Sequence, residues 1–382
     1  INRVKGIFMR KVTILPKKLF QFSTLSKKQP IIYTSKFGQN GKLLVDTPFT
    51  PLNITLRTFW EDHTQIELTS SNESVEKDHL KISDEGTKGE ILSVKEKNGG
   101  LSKRNPVTIS ALIPEYYNYE IKGKIESLEH LRAEVDAKTL GNISIINTDT
   151  EGNGKINLNK SKSDFCNLDI GRADLKIKSY LESFSGSIRS EGGEITAKRI
   201  GVSGDLEIST KNKGKINVET VLVGYKPKGN FQEKFEEIYE NIKNNDCRVE
   251  FLSENGSDIN LGNCQGNLLF NLKNGGNLIL KRLTIGRLGL KATGNGLISM
   301  HISRIYSNSS IDISEGTDIK LVIDRGASFN IFSINQSLFY KNINLSHQPT
   351  LFINGPFQVE NIVENDVQDF FTEFRKRMGD LS

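Results

Sequence analysis

Five histidines, three cysteines and a scatter of neighbouring carboxylates are the residues in this sequence able to carry chemistry. His63, His79, His130, His301 and His347 stand alone, with no two of them three to five positions apart. A zinc site would have to gather its ligands from distant segments. Cys166, Cys247 and Cys264 form no Cys-x-x-Cys pair, which excludes a four-cysteine zinc site and a disulfide framework. No local signature couples a cysteine to a histidine as nucleophile and base. Asp205 with Glu207, and Asp312 with Asp318, are spaced to approach one another across adjacent segments. Such clustered acids serve carbohydrate-cleaving β-helix enzymes as acid–base pairs. Yet the positions that would face outward carry both signs, as in Lys155, Asp174, Arg189, Glu194, Lys215, Asp258 and Lys320. That mixture fits a solvated face better than a cleft with shifted carboxyl groups. Gly152-Asn-Gly154 and Gly294-Asn-Gly296 lack the third glycine and following helix of a dinucleotide loop. The expectation is therefore no catalytic residue, no metal ligand and no cofactor.

The elements that would position these residues repeat. Between residues 141 and 331 a small or turn residue recurs ahead of the pattern x-Φ-x-Φ, where Φ is apolar. Examples are Gly154-Lys-Ile-Asn-Leu, Gly204-Asp-Leu-Glu-Ile, Gly214-Lys-Ile-Asn-Val, Ser257-Asp-Ile-Asn-Leu and Gly276-Asn-Leu-Ile-Leu. From Ser257 to Gly296 the copies start every nine or ten residues. Alternating Φ positions point to one side of a strand, and a strand of about five residues hides that side only by stacking on others. Linkers this short leave little room for crossover helices. The pattern predicts an all-β, single-stranded β-solenoid, parallel β-helix-like, with two short strands per coil of about 20 residues. An antiparallel sandwich or barrel is the competing architecture.

One segment changes period. Phe231, Phe235, Ile238, Tyr239 and Ile242 fall on one side of a helix, which predicts an amphipathic insertion over 229–244. Nearby, Leu269, Ile279 and Leu297 replace the polar residues expected on the outside of a strand. These eight residues are the candidate interaction surface: either the helix covers the strand residues, or the patch meets a partner. Residues 37–115 supply strand-like runs for an N-terminal β cap, ahead of a solenoid over 116–345. Over 346–382, Val363, Val367, Phe370, Phe371, Phe374 and Met378 predict a strand and a capping C-terminal helix.

Charge is divided unevenly. The chain has 51 Lys and Arg against 46 Asp and Glu, but its first 45 residues hold ten of the positives and no acid. Over 1–36 the text is basic and hydroxylated, and Pro16, Lys17 and Lys18 interrupt its apolar run. A secretory signal needs an unbroken apolar core, whereas this leader has the character of a mitochondrial presequence. The acidic, sign-mixed body argues against nucleic-acid binding. No stretch has the length of a membrane-spanning helix.

The phrases Gly141-Asn-Ile-Ser-Ile and Gly276-Asn-Leu-Ile-Leu resemble a β-solenoid domain described as a "putative adhesin" of unknown function. Phe37-Gly, then Lys42-Leu-Leu-Val-Asp-Thr-Pro-Phe-Thr-Pro-Leu-Asn-Ile-Thr-Leu-Arg, and Val107-Thr-Ile-Ser-Ala-Leu-Ile-Pro are similar to an uncharacterised eukaryotic "family with sequence similarity" group carrying that domain. The resemblance spans about residues 37 to 335. It implies a β-solenoid fold, a mitochondrial address for the eukaryotic members, and no site residues. The functional expectation is a non-enzymatic scaffold of the mitochondrial matrix that binds protein partners. The alternative is an extracytosolic carbohydrate-binding, adhesive or carbohydrate-active protein, for which Asn53-Ile-Thr55, Asn72-Glu-Ser74, Asn308-Ser-Ser310 and Asn344-Leu-Ser346 would be glycan acceptors.

Overall fold

Apolar residues alternate with polar ones along the repeated phrase, and the backbone answers with strands whose buried positions are the Φ positions. In Asp258–Lys273, Ile259, Leu261, Cys264, Gly266, Leu268, Phe270 and Leu272 are buried, while the other residues are half-buried or exposed. The computed structural model describes residues 31–35, 41–59, 64–70, 80–85, 91–96, 106–114, 117–132, 142–149, 154–224, 247–324, 327, 329–333, 338–341, 348–357 and 362–365. The predicted segment 229–244, with Phe231, Phe235, Ile238, Tyr239 and Ile242, lies outside the described residues, as do residues 1–30.

The N-terminal part comprises β1 (Ile31–Ser35), β2 (Lys42–Phe59), β3 (Thr64–Ser70), β4 (Leu80–Glu85), β5 (Ile91–Glu96), β6 (Val107–Pro114) and β7 (Asn118–Arg132). β1 with β3, β3 with β6, and β4 with β5 are antiparallel, whereas β2 runs parallel to β5, β6 and β7. The central part holds β8 (Ile143–Asn147), β9 (Lys155–Asp169), β10 (Asp174–Ser190), β11 (Glu194–Val202), β12 (Leu206–Thr210) and β13 (Lys215–Val223). It continues with β14 (Arg248–Glu254), β15 (Asp258–Lys273), β16 (Leu278–Ala292), β17 (Gly296–Ile305), β18 (Ser309–Ile313) and β19 (Thr317–Asp324). Described strands after these are β20 (Asn330–Ser333), β21 (Leu338–Lys341), β22 (Thr350–Asn354) and β23 (Ile362–Asn365). β20 and β21 form an antiparallel pair beside the parallel β22.

Pairings from β7 to β19 are parallel, and partners recur twenty or so residues apart, as with Leu175 beside Ile195 and Leu278 beside Ile298. Each long strand serves two neighbours on one side. The first part of β10 pairs with β11, its second part with β12, and the register shifts between Ile177 and Leu181. β15 likewise receives β13 along its first part and β14 along its second. The pairings β10–β11–β13–β15–β14–β12–β10 therefore close a ring of six parallel strands.

This closure corrects the expected fold. The described residues are all-β, but they form a closed six-strand parallel barrel with extra strands rather than a single-stranded solenoid. No helix occurs among the described residues, and Val363, assigned to the C-terminal helix, lies in β23. The physical reason is in the linkers. Asn159 to Phe165 separate two copies of the phrase, yet they stay extended and fuse them into the 15-residue β9. A fused strand that bends at an irregularity can belong to two walls, which the spacing of the phrases does not reveal.

The barrel interior is filled by branched aliphatic side chains, joined by the stacked rings of Phe251 and Phe270 with centroids 5.2 Å apart. Each such fully buried side chain contributes on the order of 1.5–3 kcal/mol. The small residue opening each phrase has a packing cause. A Cβ on Gly276 would run into the carbonyl oxygen of Ser257, and one on Gly296 into that of Gly276. Among the described residues, no helix is long and apolar enough to cross a membrane.

Candidate interaction surface

Of the carboxylates weighed for acid–base work, Asp205 holds a strand in place, as do Asp174 and Asp258 of the sign-mixed face. Asp174 Oδ1 accepts the Glu194 N–H at 2.9 Å, Asp205 Oδ1 the Arg248 N–H at 3.0 Å, and Asp258 Oδ1 the Asn277 N–H at 2.9 Å. Each carboxylate at a strand start thus satisfies a backbone donor where the next strand begins. Glu207 accepts from Arg189 Nε at 3.2 Å instead of sharing a proton with Asp205. Asp312 lies opposite Lys291 in β16, and Asp318 lies opposite Leu297 in β17.

Cys166 and Cys264 are buried, and burial pushes both thiols up to about 12, against an ordinary value of 9.0. A thiol so shifted is a poor nucleophile at neutral pH. Cys247 is half-buried and its Sγ–H donates to the Ser203 carbonyl at 2.9 Å. His301 Nε2 lies 2.6 Å from Asp324 Oδ1. His63, His79 and His347 lie outside the described residues. Among the described residues no three His, Cys, Asp or Glu side chains converge as metal ligands would.

An asparagine ladder was not read from the sequence. Asn212, Asn255 and Asn274 adopt φ of 52°, 57° and 61°, and their side chains link edge to edge. Asn255 Nδ2 donates to Asn212 Oδ1 at 3.3 Å, and Asn274 Nδ2 donates to Asn255 Oδ1 at 3.1 Å. The visible signal was the Asn-Gly pairs at 255–256 and 274–275, since Asn tolerates the left-handed region better than other side chains.

The three strand residues of the expected surface separate. Ile279 and Leu297 are 38% and 44% exposed and sit on adjacent strands. Ile279 pairs with Ser299, two positions from Leu297, so both side chains emerge on one outer face. Leu269 is half-buried on another wall, between Glu250 and Gly289, and its side chain lies over the bare Cα of Gly289. Other exposed apolar residues escaped the sequence reading: Phe165 at 47% in β9 and Phe184 at 60% in β10, both outside any Φ position. Phe352 stands against Phe332 edge to face with centroids 6.1 Å apart.

No family model matches the sequence, and no curated protein matches it. Solved structures do. The chain is similar to a "putative adhesin" from Parabacteroides distasonis, at 10% identity over 89% of this chain and 98% of that one, with a TM-score of 0.38. It is similar to a "putative adhesin" from Parabacteroides merdae, at 9% identity over 89% and 97%, with a TM-score of 0.34. A "putative lipid binding protein" from Parabacteroides distasonis matches at 12% identity over 86% and 97%, with a TM-score of 0.32. Nothing in these comparisons supports the eukaryotic group.

Proposed function

We propose that this chain is a non-enzymatic scaffold of the mitochondrial matrix that docks partners on an outer face of the strands beside its barrel. The observation that carries the reading is the pair Ile279 and Leu297, exposed side by side on the outer face of β16 and β17. Apolar side chains grouped on a rigid sheet are what a docking surface offers. Several groups able to do chemistry are otherwise engaged. Asp174, Asp205 and Asp258 hold backbone donors, Glu207 holds Arg189, and Cys166 and Cys264 are core residues. The mitochondrial address is supported by the cationic, acid-free leader alone.

The adhesive alternative draws on its glycan acceptors, and two of these have structural duties. Asn53 Oδ1 accepts from Ser127 Oγ at 2.6 Å, and Asn308 Oδ1 accepts the Thr350 N–H at 2.9 Å. The docking reading is tested by proximity labelling of the full tagged chain in cells. Mitochondrial proteins should be labelled reproducibly, and the double variant Ile279→Asn, Leu297→Asn should lose them while keeping its melting temperature. Labelling outside mitochondria, or an unchanged set with the variant, overturns the reading.

A further inference from the structure

Residues 259–311 contain six Lys and Arg and no Asp or Glu, whereas the rest of the body from Asp46 onward has 35 positives against 46 negatives. That stretch is β15, β16, β17 and the start of β18. Lys281, Arg282, Arg287, Lys291 and Arg304 are all exposed. Elsewhere on the barrel cations meet carboxylates, as in Lys162 with Glu182 at 3.0 Å, Lys178 with Glu129 at 3.0 Å and Arg189 with Glu207 at 3.2 Å. Within the stretch, Lys273 has Glu254 and Lys291 faces Asp312. Lys281, Arg282 and Arg304 have no ion-pair partner among the described residues, and nearby Asp324 is engaged by His301.

These three cations share the strands β16 and β17 with the apolar pair. Lys281 follows Ile279 by two positions and is likewise exposed. Arg304 lies opposite Thr284, two positions beyond Arg282, and the register irregularity between Leu280 and Leu283 turns the strand just there. Asn263 lies opposite Arg282 on the other side, a neutral neighbour. Two exposed aliphatic side chains lie on the same pair of strands as the three cations.

We propose that this ridge of β16 and β17 binds an anionic lipid surface, with Lys281, Arg282 and Arg304 at the headgroup phosphates and Ile279 and Leu297 in the acyl boundary. The inference rests on reading this wall as a docking face and names what docks there. A soluble polyanion would use the cations and gain nothing from Ile279 and Leu297, whereas an interfacial site uses both.

The test is co-sedimentation of the full chain with vesicles of phosphatidylcholine, alone or with about one-third phosphatidylglycerol, and parallel titration with heparin. The basic leader contributes equally to every variant, so differences between variants report the ridge. Expected is binding to the anionic vesicles, weakened at least tenfold by Lys281→Gln, Arg282→Gln, Arg304→Gln, since each surface cation contributes on the order of fivefold. Ile279→Ser, Leu297→Ser should weaken vesicle binding and leave heparin binding unchanged. Equal vesicle binding by wild type and both variants overturns the proposal. So does a loss confined to heparin, which would assign the ridge to a polyanion. Vesicle binding that ignores the ridge, together with partner labelling lost in the Ile279→Asn, Leu297→Asn variant, sinks the lipid surface and spares the docking reading.

Discussion

At the scale of single residues, burial decides what the cysteines can do. Cys166 and Cys264 sit in the hydrophobic core, where burial pushes both thiols up to about 12, against 9.0 for an ordinary thiol. Desolvation is the leading cause for both, because a thiolate in that interior has no water to stabilise it. The folded state therefore favours the neutral thiol, and its contribution to stability is complete below pH 9. As pH rises through 9 towards 12, unfolded chains ionise while folded ones do not, and unfolding gains about 1.4 kcal/mol per thiol per pH unit. Denaturant titrations between pH 8 and 10.5 should show stability falling, and Cys166→Ala, Cys264→Ala should flatten that slope even though it lowers stability at pH 8. An unchanged slope would mean that neither thiol couples to folding. The absence of local cysteine and histidine signatures was readable from spacing alone. The clamp made by Asp205 was not, because its partner, the Arg248 N–H, is 43 residues away in sequence.

Among elements, the repeated phrase announced strands and their inward faces, since Φ positions such as Ile259, Leu261, Leu278 and Leu280 are buried as alternation requires. It also announced Ile279 and Leu297 as outward apolar residues. It did not announce that Leu269 belongs to a different wall, because the bend within β15 that separates them leaves no mark on the periodicity. The phrase-opening glycines carry the tightest constraint. Gly276 has φ +114° and its missing Cβ makes room for the Ser257 carbonyl. Both features penalise any side chain. Gly276→Ala should therefore cost more than 2 kcal/mol by denaturant unfolding, whereas Gly256→Ala, where a Cβ would meet nothing within 4 Å, should cost only the strain of its φ of +75°. Equal losses at the two positions would show that close approach of neighbouring backbones is unimportant.

Across the whole molecule, the parallel register is continuous past the segment 225–246. Val202 of β11 lies beside Val223 of β13, and Leu206 of β12 lies beside Val249 of β14. From Val202 to Leu206 the chain takes four steps, through Ser203, Gly204 and Asp205. From Val223 to Val249, with 225–246 removed, it also takes four, through Gly224, Cys247 and Arg248. The flanking bonds repeat on both sides, for Gly224 N–H donates to the Val202 carbonyl and Arg248 N–H to Asp205. Since neighbouring strands of a parallel pair advance in step, direct fusion of Gly224 to Cys247 should need no rearrangement of the barrel. A chain lacking 225–246 should fold, keep its strand signature in far-ultraviolet circular dichroism, and melt within about 2 °C of the intact protein, the shift expected for roughly 1 kcal/mol in a chain of this length. Failure to fold would mean that the segment contributes to the closed sheet itself, and the register argument would fall with it. Folding with an unaltered melt would leave 225–246 available for a role outside the architecture, and comparing its partners with those of the intact chain would then separate what the wall binds from what the insertion binds.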